Sequence, residues 1–336
     1  MALKVFAVII AIILVFVLVI FGLRWYNATT YPFTNSPNSQ FSQSAGSYET
    51  NEQIVRIRGE YMNGFHFKPA QRKHPGVVIV HGGSEGSPNY AQAKAISEQG
   101  YEVLALFFWG QDNQVPTLAN VPLDQFTEVE KWVTANIEQP KPLTVVGTSK
   151  GAEYTALLAA KGFPVDNLVN FTPGEFSYTG LDFSSQEEKP SFTLKGEAVP
   201  FASMRQGDPG SGFKLFWDFL TGYPPQYRPG YESAAQHADP SAKIDLSSFK
   251  GNALFFAGDQ DQMWQGEVAA TNLAAQNPKF EAKIYPGAGH AFAPGLDKAP
   301  NGWQIMLGGT AEGNAAAYED SNKVLYDHLA QWHGNL

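Results

Sequence analysis

The chain opens on an unbroken apolar segment. Residues 5–23 are nineteen consecutive uncharged residues bounded by Lys4 and Arg24. As an α-helix with a rise of about 1.5 Å per residue, this segment is roughly 28 Å long, about the thickness of the bilayer hydrocarbon core. A cleaved signal peptide would have a shorter apolar core, about 7 to 15 residues, and a small-residue cleavage site. Because Arg24 and Trp25 stand where cleavage would occur, the pattern favours an uncleaved anchor, residues 1–24, that contacts the lipid bilayer through residues 5–23.

The charges that flank the anchor predict its orientation. Lys4 and the terminal amine lie on one side and Arg24 lies on the other. By the positive-inside rule, the short N-terminus stays in the cytoplasm and the rest of the chain is extracytoplasmic. Residues 25–50 are rich in Asn, Ser, Thr, Gln and Pro, a composition that predicts a flexible polar tether.

The remainder, residues 51–336, alternates short apolar runs with amphipathic helical segments. The apolar runs predict strands at 54–61, 76–80, 101–108, 143–146, 168–171, 253–256 and 280–285. Helical periodicity is clearest at 90–99 and 123–137, with Phe126, Val129 and Val133 on one face of the second segment. Strands that alternate with helices and are nearly continuously apolar predict a mostly parallel sheet covered by helices on both faces.

The alternation is interrupted once, at about residues 172–250, which predicts a cap insertion. This segment is rich in Pro, Gly and aromatic residues, and Phe213, Phe216, Trp217 and Leu220 follow helical spacing within it. We expect these aromatic residues to seal the cap onto the sheet. The alternative is that some of them line an apolar pocket for an acyl or ester group.

Composition narrows the function further. The 336 residues include 32 acidic and 23 basic residues, and none is cysteine. The net charge of -9 argues against a protein that binds nucleic acid, which needs a basic face. The lack of cysteine excludes thiolate zinc sites, disulfides and a thiol nucleophile. We predict neither a metal ion nor a cofactor.

One motif points to nucleophilic catalysis. Gly-Thr-Ser-Lys-Gly at residues 147–151 follows the strand at 143–146 and opens a helix. This is the strand–turn–helix context of a nucleophile elbow, in which glycines allow a sharp turn and the serine takes a strained backbone conformation. The helix N-terminus also favours developing negative charge. We therefore predict Ser149 as the nucleophile.

The same five-residue pattern occurs a second time, at residues 82–86. It follows the strand at 76–80 and is preceded by His81, giving His-Gly-Gly before Ser84. This is the composition of an oxyanion loop, in which backbone must approach the substrate closely. We assign the backbone amide of Gly83 or Ser84, with that of Lys150, to the oxyanion hole. Ser84 as nucleophile is the less favoured alternative.

A serine nucleophile needs a base and an orienting acid, here in the order Ser, Asp, His. His290 lies in a glycine-rich turn after the last predicted strand and is the predicted base, whereas His328 and His333 are expected on the surface. Asp261 follows the strand at 253–256 in a Gly-x-x-Asp turn and is the predicted acid. Asp259, in the same turn, is expected to cap it. All three predicted triad positions fall at carboxyl ends of strands, where open α/β sheets build their sites.

Three segments resemble a known family. Residues 147–153, 258–264 and 308–317, the last followed by Glu-Asp-Ser at 319–321, resemble the C-terminal catalytic domain shared by acyl-CoA thioester hydrolases and bile acid-CoA:amino acid N-acyltransferases. The resemblance covers about residues 75–333, and 308–317 is its most specific part because general α/β-hydrolases lack it. It implies an α/β-hydrolase fold with Ser149 as nucleophile, Asp261 as acid and His290 as base.

These observations predict a membrane-anchored serine hydrolase that cleaves small acyl esters or thioesters. In the family, members with cysteine as nucleophile tend to be amino-acid acyltransferases, so serine favours hydrolysis. An extracytoplasmic domain would meet little acyl-CoA, and an acidic chain shows no obvious site for its phosphates. Simple esters are therefore as good candidates as CoA esters. Two alternatives stay open: acyl transfer to an amine or alcohol, and a tethered binding protein without turnover.

Overall fold

A long N-terminal helix precedes the folded domain. The computed structural model describes residues 2–32, 44–182, 184–292 and 301–336. Helix α1, Ala2–Thr30, therefore continues through residues 25–30, which the sequence assigned to the tether. Residues 33–43 of that tether lie outside the described residues, and a short 3-10 helix, Ala45–Ser47, follows them.

The apolar side chains of α1 are exposed along most of its length. Leu18 and Phe21 are 69% and 68% exposed, and only Ile20 among the large apolar residues is buried. Within the described residues, this is the one helix long and apolar enough to cross a membrane. A signal sequence meets the same criteria of length and composition.

The domain is built on a mostly parallel sheet, as predicted. Eight of the described strands form it in the order β1-β2-β4-β3-β6-β7-β10-β11, and only the β1–β2 and β2–β4 pairs are antiparallel. Their bounds are β1 Ile54–Arg58, β2 Asn63–Phe67, β3 Val77–His81, β4 Glu102–Phe107, β6 Leu143–Thr148, β7 Asn167–Phe171, β10 Asn252–Gly258 and β11 Phe280–Tyr285. The short strands β5 Val121–Pro122, β8 Phe192–Leu194 and β9 Glu197–Ala198 form a separate small sheet.

Strand β2 was not predicted from the sequence. The single strand expected at 54–61 is instead the first arm of a hairpin whose second arm is β2. All five residues of β2 are buried, yet Asn63, Gly64 and His66 interrupt its apolar pattern. Gly64 is required there because a Cβ at this position would lie 2.1 Å from the Ala105 carbonyl oxygen of β4.

Helices cover both faces of the sheet, which confirms the predicted layers. In β3, Val77 and Ile79 face one hydrophobic cluster while Val78 and Val80 face the other. The first cluster takes residues from α3 Phe126–Asn136, α4 Lys150–Ala160 and α7 Gly266–Ala274, and the second from α2 Tyr90–Glu98 and α9 Ala311–His333. Helix α3 buries Phe126, Val129 and Val133, the face that its periodicity predicted.

The segment predicted as a cap contains two further helices, α5 Pro209–Thr221 and α6 Arg228–His237. Its aromatic residues divide into two groups. Tyr231 is buried with Tyr178 and Trp264, as expected of a residue that seals a cap. Phe213 and Phe216 instead point outward and are 64% and 59% exposed, so they neither seal the cap nor line an internal pocket.

Four histidines outside the Ser149, His290 and Asp261 cluster are buried, namely His66, His74, His81 and His333. His333, expected on the surface, is 5% exposed and hydrogen bonds to Thr144 Oγ1 and the Pro75 carbonyl oxygen. His81, at the end of β3, is 2% exposed and its Nδ1–H donates to the Leu106 carbonyl oxygen at 2.9 Å. Burial lowers the pKa of His81 from 6.5 to about 4, against a smaller raising effect of that hydrogen bond. His81 is therefore neutral in the folded protein at neutral pH.

We expect the free energy of unfolding to fall as the pH drops from 6.5 to 4. Between pH 6.5 and 4 the unfolded chain binds a proton at His81, whereas the folded chain does not. This difference lowers the free energy of unfolding by about 3 kcal/mol at pH 4. His81→Asn, whose amide can still donate to Leu106, should remove this part of the pH dependence. Urea unfolding at a series of pH values measures it. If the free energy of unfolding changed equally with pH in the wild type and in His81→Asn, the role of His81 would be contradicted.

Candidate active site

Ser149 lies at the sharp turn between β6 and α4. Its backbone has φ 56° and ψ -120°, a conformation that costs a non-glycine residue about 1 to 3 kcal/mol. The Ser149 amide donates to the Phe171 carbonyl oxygen of β7 at 3.0 Å, which fixes the turn above the sheet. The side chain is thereby held at the N-terminus of α4.

The two glycines of the elbow are required by close backbone packing. A Cβ on Gly147 would lie 2.2 Å from the Gly151 carbonyl oxygen, and a Cβ on Gly151 would lie 1.9 Å from the Gly82 carbonyl oxygen. Both distances are far below any real carbon–oxygen contact. The glycines of the Gly-x-Ser-x-Gly pattern at residues 147–151 are thus needed for the steric reason inferred from the sequence, namely a turn too tight for a Cβ.

The structure brings Ser149, His290 and Asp261 together. His290 Nε2 lies 2.9 Å from Ser149 Oγ, and His290 Nδ1 lies 2.8 Å from Asp261 Oδ2. His290 is 7% exposed and Asp261 is fully buried. The Trp264 ring stands edge-on to the imidazole at a centroid distance of 5.6 Å. These contacts bring an imidazole, a carboxylate and a hydroxyl within hydrogen-bond reach of one another.

Asp261 is fixed by its own turn after β10. Its Oδ1 accepts from the backbone amides of Met263 and Trp264 at 2.8 and 3.2 Å, which leaves Oδ2 for His290. The Arg228 guanidinium at the start of α6 donates to the Asp261 carbonyl oxygen at 2.9 Å. Asp259 was expected to cap the turn. It accepts from the Gly287 amide at 2.7 Å and so connects the turn that carries Asp261 to the loop that carries His290.

The loop that carries His290 packs against residues 308–317, the most specific part of the family resemblance. The His290 amide donates to Leu307, the last residue of helix α8 Asn301–Leu307, at 2.8 Å. A Cβ on Gly289 would lie 2.2 Å from the Gly308 carbonyl oxygen. The Gly289 amide donates to Asn314 Oδ1 at 2.8 Å, and Asn314 is buried. The sequence showed the motif at residues 308–317 but gave no sign that this motif positions His290.

The amides predicted for the oxyanion hole have different surroundings. The Lys150 amide belongs to the first turn of α4, where N–H groups have no partner within the helix. Gly83 lies beside the nucleophile, since a Cβ there would be 3.0 Å from Ser149 Cβ, but its amide donates to both carboxylate oxygens of Glu85 at 2.8 and 2.9 Å. Ser84 is exposed. An oxyanion at the Gly83 amide therefore has to displace Glu85.

Two side chains of the elbow helix form a buried ion pair that the sequence reasoning missed. Lys150 Nζ lies 2.7 Å from Glu153 Oε2, and the two side chains are 2% and 0% exposed. Lys150 Nζ also donates to Ser191 Oγ at 2.8 Å, and Glu153 Oε1 accepts from Ser177 Oγ at 2.9 Å. Burial lowers the pKa of Lys150 and raises that of Glu153, while their attraction opposes both shifts. The only signal in the sequence was an i, i+3 charge pair inside an apolar helix.

No group of three or more His, Asp or Glu side chains is arranged to hold a metal ion in the part of the chain that the structure describes.

Comparison with known sequences agrees with the resemblance drawn above. Residues 231–332 match the dienelactone hydrolase family. Acyl-coenzyme A amino acid N-acyltransferase 2 of Rattus norvegicus is 24% identical over 314 residues, 87% of this chain and 69% of that protein. Human mitochondrial acyl-coenzyme A thioesterase 2 is 22% identical over 305 residues, 84% of this chain and 57% of that protein. The chain thus spans between about half and two thirds of the length of these relatives.

Solved structures agree on the fold. An esterase of Pyrococcus furiosus superposes with a TM-score of 0.51 at 14% identity, over 90% of this chain and 97% of that one. An α/β hydrolase from a Penicillium species gives a TM-score of 0.50 at 16% identity, over 83% and 98%. The chain has an α/β-hydrolase fold. Residues 231–332 resemble dienelactone hydrolases, and the chain is similar at low identity to acyl-CoA thioesterases and amino acid N-acyltransferases.

We expect Asn314→Ala to lower kcat with little change in KM. The substitution leaves the buried Gly289 amide without its acceptor, a loss of about 1 to 3 kcal/mol, and loosens the loop that carries His290. Asn314→Asp keeps an acceptor oxygen and should retain most of the activity. Asn322→Ala is the matched control, because the half-buried Asn322 donates only within its own helix, to the Tyr318 carbonyl oxygen. Steady-state kinetics on an aryl ester and thermal unfolding measure both effects, and an unchanged kcat would contradict the positioning role.

We expect Lys150→Met to destabilise the protein by about 3 to 5 kcal/mol, because it leaves the Glu153 carboxylate buried without its partner. Lys150→Met combined with Glu153→Gln should recover part of that loss. Lys94→Met breaks the exposed pair with Glu98 and should destabilise the protein far less than Lys150→Met, because water screens that pair. Chemical denaturation of the three variants tests this. Similar losses for Lys94→Met and Lys150→Met would show that burial of the pair is unimportant.

Proposed function

We propose that this protein is a membrane-anchored serine hydrolase that cleaves small acyl esters or thioesters through Ser149, His290 and Asp261. The observation that carries the proposal is the continuous hydrogen-bond path from Asp261 Oδ2 through the imidazole to Ser149 Oγ, at 2.8 and 2.9 Å. The strained backbone of Ser149 supports it, because strain at a residue that the surroundings hold in place is typical of functional sites.

In the proposed reaction, His290 Nε2 takes the Ser149 proton as Oγ attacks the acyl carbonyl. Asp261 holds the imidazole with Nδ1–H toward its carboxylate and stabilises the imidazolium that forms. The Lys150 amide stabilises the oxyanion together with that of Ser84, or with that of Gly83 once Glu85 is displaced from it, and one donor contributes about 3 to 4 kcal/mol. The imidazolium then gives its proton to the leaving alcohol or thiol. Water cleaves the acyl-enzyme with His290 again as base.

The anchor determines which substrates the site meets. We place α1 across the bilayer, with the domain on the extracytoplasmic side as the flanking charges indicate. Acyl-CoA is scarce there, which favours esters over CoA thioesters. Thioester cleavage and acyl transfer are the two alternative reactions, because relatives are named as thioesterases and N-acyltransferases.

A substrate panel on the full-length protein distinguishes these outcomes. It compares aryl esters with acyl-CoA across chain lengths, with and without a free amino acid as acceptor. Ester hydrolysis that exceeds acyl-CoA hydrolysis and is unaffected by the acceptor supports the proposal. Formation of an N-acyl product would instead assign acyl transfer.

We expect Ser149→Ala to abolish both ester hydrolysis and covalent labelling by a fluorophosphonate, which reacts only with an activated serine. Ser84→Ala is the matched control, since Ser84 lies in the other Gly-x-Ser-x-Gly match and its side chain is exposed. This variant should label like the wild type. Labelling that persists in Ser149→Ala, or is absent from the wild type, would refute the catalytic assignment and favour a binding protein.

A further inference from the structure

Helix α5 carries its apolar side chains on the outside of the protein. Phe213, Phe216, Trp217 and Phe219 are 64%, 59%, 37% and 55% exposed. Phe213, Phe216 and Trp217 fall on one side of the helix because they are spaced at i, i+3 and i+4. The Phe213 and Trp217 rings stack at a centroid distance of 6.5 Å. A soluble surface helix normally shows the opposite distribution, with its apolar side facing the core.

The inward side of α5 is polar. Asp218 and Thr221 are buried, and Asp218 accepts from the half-buried Lys214 at 2.6 Å. Thr221 Oγ1 donates to the Trp217 carbonyl oxygen at 2.8 Å. Both contacts lie within α5 itself. The buried side of the helix is the one that carries Asp218 and Thr221, and the aromatic residues lie on the exposed side.

The end of α5 is joined to the apolar N-terminal helix. Arg24 Nη1 donates to the carbonyl oxygens of Phe219 and Leu220 at 3.1 and 3.0 Å, a favourable place for a cation because carbonyls are unpaired at a helix C-terminus. Asn27, which is buried, donates to the Thr221 carbonyl oxygen at 3.0 Å. Arg24 is also the first charge after the apolar segment 5–23. Helix α5 thus meets α1 at the level where that segment ends.

We propose that the outward face of α5, formed by Phe213, Phe216, Trp217 and Phe219, inserts into the boundary between head groups and acyl chains of the bilayer that α1 spans. The inference rests on the proposed membrane anchoring. The α5 face would then contact the bilayer in its plane, in addition to the contact made by the membrane-spanning helix α1. Aromatic side chains on a helix that lies in this boundary are the usual means of such binding.

The absence of cysteine allows the position of single residues to be measured in the full-length protein. Three variants, Val15→Cys, Phe216→Cys and Ala135→Cys, each carry one fluorescent label in phosphatidylcholine nanodiscs. Val15 lies within α1, and Ala135 is exposed on α3. Quenchers are lipids with a nitroxide near the head group or deep in the chain, and aqueous iodide. Phe213→Cys provides a second site on the α5 face, and fluorophosphonate labelling of Ser149 reports that each variant is folded.

We expect the Phe216 and Phe213 labels to be quenched by the shallow nitroxide, the Val15 label by the deep one, and the Ala135 label by iodide alone. If Val15 is quenched by lipid while the α5 labels respond only to iodide, the docking is refuted and the anchor stands. If the α5 labels are shielded from iodide but not quenched by lipid, the face binds protein and the proposal is also refuted. If Val15 is unquenched, the proposed anchoring itself fails, and the inference fails with it.

Discussion

At the carboxyl edge of the sheet, backbone packs directly on backbone, and the rest of the site depends on this close approach. The elbow glycine Gly151 lies against the Gly82 carbonyl, and Gly258 of β10 lies against that of Ala288. Gly308 in turn lies against the carbonyl of Gln260, beside the acid turn. No side chain separates these turns. The spacing among Ser149, His290 and Asp261 is therefore determined mainly by backbone packing and by few rotamers, which favours a pre-organised arrangement.

Beneath the cap the stabilising contacts are of another kind. Lys150 and Glu153 place opposite charges in the interior, and Ser177 and Ser191 satisfy their remaining hydrogen bonds. Removing one partner of such a pair is costly, because it leaves the other charge buried and unpaired. Lys150, the residue after Ser149, thus has its amide in the first turn of α4 and its side chain against Glu153 and Ser191.

Much of the fold could be read from the sequence because the parallel strands are buried on both faces and α3 is strongly amphipathic. The elbow and the two turns around Asp261 and His290 were found from glycine patterns, which report steric demands directly. Strand β2 was missed because its burial arises from pairing between β1 and β4, not from its own apolar pattern. His333 was misjudged because its partners, Thr144 and Pro75, are remote in sequence. The outward direction of Phe213 and Phe216 also depends on tertiary contacts, because spacing shows only that residues share a face.

The junction between α1 and the cap has a consequence for motion. A flexible tether would let the domain tumble and rise above the bilayer, whereas the hydrogen bonds of Arg24 and Asn27 begin at the first charged residue after the apolar segment. From Arg24 to Thr30 the helix extends about 10 Å at 1.5 Å per residue, so a bilayer spanned by residues 5–23 would have its surface within that distance of the junction. In a bilayer the domain would then move as one body with its anchor. For a substrate that resides in the membrane, the domain's encounters would then follow the number of substrate molecules per unit area, and dilution of the surrounding solution would leave them unchanged.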